Sequence, residues 1–343
     1  MRKPYNVNWS SCRILFLIVC SFFMAVYTDV SDAEAQTLVD ALQLGKLTAL
    51  DGISGGIENS NFFMTVDNNG VPETYVLTLF ERLSHEQLPY YLGLMQHLSG
   101  KGLAVPAPMA DSRGDILHTV AGKPAAVVSK LTGKSQLAPQ VTHCSALGET
   151  LAHMHMAGKD FARNQPNLRG LQWWNETVPS ILPHLTPDQS ALLGQELAFQ
   201  NHVQALPEYK ALPIGPVHAD LFRDNAMFEG EKLTGVFDFY FAGDDTWLFD
   251  LCVCLNDWCT DLSTGTWDND RLHATLAAYQ AARPLTAAER GLINPMLRAA
   301  ALRFWISRLW DFYLPREASL LTPHDPTHFE RIILQRRLHP ISL

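Results

Sequence analysis

The sequence predicts an α+β fold of two lobes, a small β-rich first lobe followed by a larger, mainly helical second one. Three observations carry this. Short strand-like runs bounded by turn residues crowd the chain before residue 131. Apolar residues at helical spacing dominate from Thr142 onward. The turn Thr132-Gly133-Lys134 separates the two regions, so the expected lobes are residues 24–131 and 132–343.

The elements follow in order. Residues 31–44 open with a capping Ser31 and an acidic first turn, then show apolar positions at helical spacing and a stop at Gly45. A strand over 47–53 leads into Ser54-Gly55-Gly56-Ile57-Glu58-Asn59-Ser60-Asn61, and a second strand covers 62–66. Asn68-Asn69-Gly70 turns the chain into a third strand over 75–80. Residues 86–98 read as an amphipathic helix, 105–108 as an extended linker, and 116–120 and 125–131 as short strands. In the second lobe, helices are expected over 144–156, 187–202 and 287–313.

Composition narrows the partners. A hydrophobic content of 47% over 343 residues supplies a substantial core. The net charge of −9, with no basic run, excludes nucleic-acid binding through phosphate neutralisation. Six cysteines are scattered, and within a helix Cys254 would point about 200° away from Cys252. Cys252, Cys254 and Cys259 therefore read as buried free thiols of a reducing compartment rather than metal ligands. His153 and His155 fail as a metal pair for the same reason.

Residues 1–23 stand apart. Arg2, Lys3 and Arg13 precede an apolar run over 14–23 that has the character of an export signal. The run is too short for a comfortable membrane span of about 20 apolar residues, and Phe22-Phe23-Met24 occupies the place of a cleavage site. Met24 is read as the genuine start, with a cytoplasmic protein and no membrane partner following from it. The oligomeric state stays open.

The chemistry concentrates in His218-Ala219-Asp220-Leu221-Phe222-Arg223-Asp224-Asn225 and in Asp238-Phe239. Between them, Ala226-Met227-Phe228 and residues 233–237 flank the turn Glu229-Gly230-Glu231-Lys232. A hairpin there brings Asn225 and Asp238 together at its open end. This spacing suits phosphoryl transfer: Asp220 orients and deprotonates a hydroxyl, while Asn225 and Asp238 hold Mg²⁺ against nucleotide phosphates. Gly55 and Gly56 lie between two strands, where glycines let backbone N–H groups approach phosphates, and Asn59, Ser60 and Asn61 add neutral polar groups.

Taken with Tyr75-Val76-Leu77-Thr78-Leu79-Phe80-Glu81, Leu92-Gly93-Leu94-Met95-Gln96-His97-Leu98 and Leu302-Arg303-Phe304-Trp305-Ile306-Ser307-Arg308-Leu309, these motifs resemble the bacterial homoserine kinases. Those belong to the aminoglycoside-phosphotransferase/choline-kinase superfamily, whose fold is protein-kinase-like. The likeness begins near Met24 and runs almost to the C-terminus. It implies ATP and Mg²⁺ as cofactors, L-homoserine as the small-molecule substrate, and O-phospho-L-homoserine, a threonine precursor, as the product. It makes Asp220 the catalytic base, Asn225 and Asp238 the metal ligands, and His218 and Asp250 structural supports of the loop. Adenine would lie near residues 128–131, beside Val128 and Lys130.

Thr78 stands where kinase-like folds carry a phosphate-binding cation, which leaves Lys130, Arg82 or the metal ion for that task. A carboxylate-bearing substrate calls for an Arg fork, with Arg223, Arg303 and Arg308 as candidates. At helical spacing the last two diverge by about 140°. Other acceptors in the same superfamily (choline, ethanolamine, an aminoglycoside or a modified amino acid) are alternatives, as is a nucleotide-binding pseudokinase.

Overall fold

A computed structural model describes residues 28–53, 59–314 and 324–343. The extension over residues 1–23, the Met24 start and the glycines Gly55 and Gly56 lie outside the described residues.

Ser31 caps α1 (Asp32–Ala41) in a reciprocal box, accepting from Glu34 N–H while the Glu34 carboxylate accepts from Ser31 N–H. Next come β1 (Lys46–Gly52), β2 (Asn59–Asn68) and β3 (Val71–Phe80). Asn69 and Gly70 turn β2 into β3 with φ of 55° and 84°, the left-handed pair that a two-residue hairpin requires. Then follow α2 (Leu88–Gly100), β4 (His118–Val120) and β5 (Lys123–Ser129), giving a five-stranded antiparallel sheet in the order β1-β2-β3-β5-β4.

Strand alternation gives this sheet two different faces. Phe62, Met64, Val66, Leu77 and Leu79 join Leu38 and Val39 of α1 in the first lobe's own core. The opposite face presents Val76, Phe80, Ala126 and Val128 to the main core. The expected linker over 105–108 is more than a spacer, because Met109 N–H bonds Val127 O and Ser129 N–H bonds Ala107 O.

The second lobe comprises β6 (Lys134–Ser135), α3 (Val141–Gly158), α4 (Leu171–Ile181), α5 (Pro187–Ala205), α6 (Pro207–Lys210), β7 (Ile214–Val217), β8 (Ala226–Glu229), β9 (Lys232–Val236), β10 (Gly243–Thr246), α7 (Trp247–Trp258), α8 (Asn269–Ala282), α9 (Ala287–Tyr313) and α10 (Thr327–Leu338). β8 and β9 form the expected hairpin, with Glu229 paired to Lys232 and Gly230 at φ 60°. Gly133 turns the chain between lobes at φ 93°, and a Cβ there would lie 2.5 Å from Phe228 O. Val236 N–H reaches back to Ala104 O, stitching the hairpin to the linker.

At 27 residues, α9 is about 40 Å long. Arg298 in its middle forms a two-pronged pair with the buried Glu196 of α5, at 3.0 and 2.8 Å. Asn256 of α7 also donates to Leu297 O. These ties make α9 a fixed beam behind the loop between β7 and β8. No helix among the described residues is long and apolar enough to cross a membrane.

α3 and α8 approach closely because α3 carries Gly148, where a Cβ would stand 2.4 Å from Thr275 O. Backbone cannot yield as a side chain can. Gly148→Ala is expected to lower unfolding free energy by about 1–3 kcal/mol, read from the urea midpoint.

Candidate active site

The loop from His218 to Asn225 leaves β7 through a sharp bend, with Ala219 at φ 62°, a left-handed conformation costing roughly 1–2 kcal/mol for an L-residue. Asp250, in the first turn of α7, holds that bend. Its Oδ2 accepts His218 N–H at 2.9 Å and its Oδ1 accepts Ala219 N–H at 2.7 Å. Asp250 is wholly buried. Burial opposes its charge, but hydrogen bonds from His155 and the loop, with both nearby imidazoles, keep its carboxyl below the usual range.

A chain of bonds leads away from Asp250. His155 Nε2 lies 3.0 Å from Asp250 Oδ2, and its Nδ1 lies 2.8 Å from the Tyr279 hydroxyl. Arg283 donates to that hydroxyl at 3.0 Å and to Glu289 at 2.8 Å. Since Arg283 can only donate, the tyrosine donates onward to Nδ1, and the histidine proton sits on Nε2 facing Asp250. His218 is arranged likewise, with Nε2 donating to Phe237 O at 2.8 Å and Nδ1 accepting Asp220 N–H at 3.3 Å. Burial depresses both imidazoles below their ordinary pKa, so both are neutral at physiological pH.

Asp220 and Asn225 meet directly. Asn225 Nδ2 donates to Asp220 O at 2.8 Å and lies 3.4 Å from Asp220 Oδ2. The amide orientation leaves Asn225 Oδ1 as its acceptor. Asn225 O accepts Phe237 N–H at 3.0 Å, and Asp238 follows at once with φ 65°, ψ 59°. The His218 ring packs on Phe239 at 4.6 Å, so the loop and the turn after β9 are joined on both sides of Asp238. Asp220, Asn225 and Asp238 carry hard oxygen donors, the kind that suits Mg²⁺. Among the described residues no group of three or more His, Cys, Asp or Glu gathers at one point. The α7 thiols are free and buried, and burial raises Cys252 and Cys254 well above the ordinary thiol range.

On the sheet face above this loop, Thr78 Oγ1 donates to Asn61 Oδ1 at 2.8 Å. Tyr240 lies two residues past Asp238 and packs edge-on against Phe80 at 5.0 Å. Thr78 is thus a neutral link between β2 and β3, while Phe80 meets the turn that carries Asp238 through Tyr240. Lys130 occupies the same face, its ammonium 4.6 Å from the Phe63 ring centroid, and Val128 is buried beside it in the main core. Asn59 pairs with Phe80 at the end of β2.

Ser60 requires a correction. Alternation turns it to the opposite face, where its fully buried hydroxyl donates to Glu81 at 2.6 Å and accepts Thr28 N–H at 3.0 Å. Its side chain serves the strand junction rather than a phosphate. Lys123 completes that cluster, 3.2 Å from Glu81.

The three arginines part company. Arg223 also departs from its expected substrate role: its backbone N–H and Nε bond Asp257 Oδ2 at 2.8 and 3.1 Å. Its remaining nitrogens bond Asp257 O and Leu137 O. That guanidinium is an internal brace between the loop and α7. Arg303 is buried, with Nη1 3.7 Å from Asp220 Oδ1. Arg308 is half-buried, donates to Asp325 O at 3.2 Å and lies over the Phe329 ring. Burial lowers its pKa, while Asp257, Asp325, Asp220 and Asp224 oppose that shift.

His155, Asp257, Tyr240 and Tyr279 belong to this region although the sequence did not single them out for it. Their partners are 34 or more residues away in most cases, and only a fold brings them into reach. Tyr240 alone had a local signal, an aromatic run directly behind Asp238.

A two-lobed fold whose bent loop leads into a hairpin with Asn225 and Asp238 at its open end points to a phosphotransferase. The sequence profile of the phosphotransferase enzyme family matches residues 50–285, and the chain belongs to that family. Within it the chain belongs to the homoserine kinases. It is 58% identical to the homoserine kinase of Polaromonas naphthalenivorans over 320 residues, covering 93% of this chain and all of that one. The homoserine kinase of Ralstonia pickettii is 56% identical, covering 91% and 96%. Solved structures share the fold at lower identity. Amicoumacin kinase hAmiN, in complex with AMP-PNP and Ca²⁺, superposes with a TM-score of 0.65 at 18% identity, covering 89% and 92%. A putative aminoglycoside phosphotransferase from Ralstonia eutropha gives 0.66 at 15%, covering 90% and 97%.

The two buried imidazoles set a pH dependence of stability. Their folded pKa values are below the unfolded value near 6.5, so their stabilisation is complete above about pH 6.5 and is lost as pH falls below it. The urea midpoint is expected to drop between pH 7.5 and 5.5. His155→Gln, which removes one of the two groups, is expected to show a smaller drop over that interval.

Proposed function

We propose that this chain transfers the γ-phosphoryl group of ATP to the side-chain hydroxyl of L-homoserine, giving ADP and O-phospho-L-homoserine for threonine synthesis. The single observation that supports it most is the Asp220–Asn225–Asp238 arrangement, held by Asp250, in a chain 58% identical to a homoserine kinase. On this reading Asp220 accepts the hydroxyl proton as the O–P bond forms and the bond to ADP breaks. Asn225 and Asp238 would hold Mg²⁺, which supplies charge neutralisation at the phosphates. Residues 24–131 form the nucleotide lobe, with Asn59, Asn61, Val128 and Lys130 toward the nucleotide, and 132–343 the catalytic lobe. A cytoplasmic location, where ATP is available, fits this reading.

The chain's own contribution is largely positioning. Asp250 holds the bend that aims Asp220, and Asn225 fixes the carboxylate's distance from the metal position. Phe80 and Tyr240 tie the sheet to the Asp238 turn. Arg308, at the rim of the loop, is the better placed of the arginines to meet the substrate carboxylate, since Arg223 is committed internally.

ADP release with ATP, Mg²⁺ and a panel of alcohols (L-homoserine, choline, ethanolamine, an aminoglycoside) tests the assignment. Homoserine is expected to be preferred, and turnover of another alcohol in its place would refute it. Asp220→Asn is expected to lower kcat by about 100-fold or more with little change in the KM for ATP. Asp238→Ala should abolish turnover at ordinary Mg²⁺ concentrations while leaving the thermal transition in place.

A further inference from the structure

The sequence offers Arg303 as a substrate-binding residue, but its place in the fold assigns it differently. Only 4% of its side chain is exposed, against 15% for Asp220. Its guanidinium carbon lies 3.8 Å from the Phe304 ring centroid and 4.9 Å from that of Phe241. Phe241 is three residues past Asp238. Phe304 packs at 4.4 Å on Phe222 of the catalytic loop and at 5.1 Å on Phe329 of α10. The aromatic rings limit where the planar group can lie, and α9 limits it further through Glu196 and Asn256. A buried cation is costly to desolvate and needs a fixed opposite charge. The Asp220 carboxylate lies within reach of that charge, its Oδ1 3.7 Å from Arg303 Nη1.

We propose that Arg303 is a positioning residue for Asp220, and that it acts through that carboxylate rather than by gripping the acceptor alcohol. This rests on the reading of Asp220 as the base of a homoserine kinase. Asp220 is held on its main-chain side by Asn225 and His218. Arg303 faces its Oδ1, so the carboxylate is aimed before the substrate arrives. On neighbouring elements, Arg223 and Asp257 bond each other, and Asp250 is engaged with the backbone bend. Arg308 reaches Asp325 O from a position five residues along α9. The pairing explains why α9 must be a rigid beam: a drift of Arg303 would turn the base.

The test is a kinetic cycle on the full chain with ATP, Mg²⁺ and homoserine, comparing wild type, Arg303→Met, Asp220→Asn and the double variant. Arg303→Met is expected to lower kcat by about 30- to 100-fold, with both KM values changed less than about threefold. Arg303→Lys should recover part of that loss, because it restores the charge without the planar fork. In the Asp220→Asn background, Arg303→Met should cost no further activity beyond about twofold. Should Arg303→Met prove unfolded by circular dichroism, Arg303→Lys and the Asp220→Asn/Arg303→Lys pair carry the same cycle. A raised KM for homoserine at unchanged kcat would reassign Arg303 to the acceptor. Losses that multiply in the double variant would make its role independent of Asp220, and an unchanged kcat would remove the role altogether. Should wild type act on a different alcohol, the substrate reading fails, and the same cycle run with that alcohol still decides the part played by Arg303.

Discussion

The carboxylate of Asp250 is the fixed point of this molecule. It accepts the N–H groups of His218 and Ala219 across a left-handed bend that no ordinary β-to-loop transition would hold. Without those two bonds, the bend would have a steric cost and two buried donors lacking partners. With them, Asp220 is placed one residue past a rigid corner. The charge on Asp250 is itself supported at a distance, through His155 and Tyr279 to Arg283, which closes on Glu289 at the start of α9.

This explains an apparent redundancy in the second lobe. α3, α7, α8 and α9 each send one polar side chain inward to the same buried line, although their packing is otherwise apolar. A polar line that deep is stabilising only when every member is satisfied. Here each donor meets one acceptor, and the order of donors leaves both imidazoles neutral. α9 then contributes twice, through its capping Glu289 at one end and through Arg303 beyond its midpoint. Asp220 is thereby approached from behind its backbone and from beside its carboxylate by one continuous structure.

The first lobe works by different means. Its sheet separates a private core on one face from a polar strip on the other, and Thr78 marks the strip. Where a cation would stand in many kinase-like folds, a hydroxyl donates to Asn61. The sheet meets the Asp238 turn through the Phe80–Tyr240 ring contact. Positive charge near that face comes instead from Lys130, lying over Phe63.

Local signals were enough to read the elements with strong periodicity or punctuation. Ser31 with Glu34, Asn69-Gly70 and the Gly230 turn specify their structures through nearest neighbours, and α9 appears in the sequence at its full length. The approach of Asn225 to the turn that carries Asp238 was legible too, because a two-residue hairpin converts chain distance into spatial proximity. Helices α4, α8 and α10 were not singled out, since Pro179 interrupts one and the apolar faces of the others are narrow. Side-chain allegiance escaped the sequence altogether. Ser60 turned to the far face by the parity of a strand, Arg223 was taken by an aspartate 34 residues away, and Arg303 was brought to Asp220 across 83 positions. The order of elements follows from short-range preferences, which a linear chain carries in full. Which charge faces which depends on how helices pack, and that is settled only when distant segments share one core.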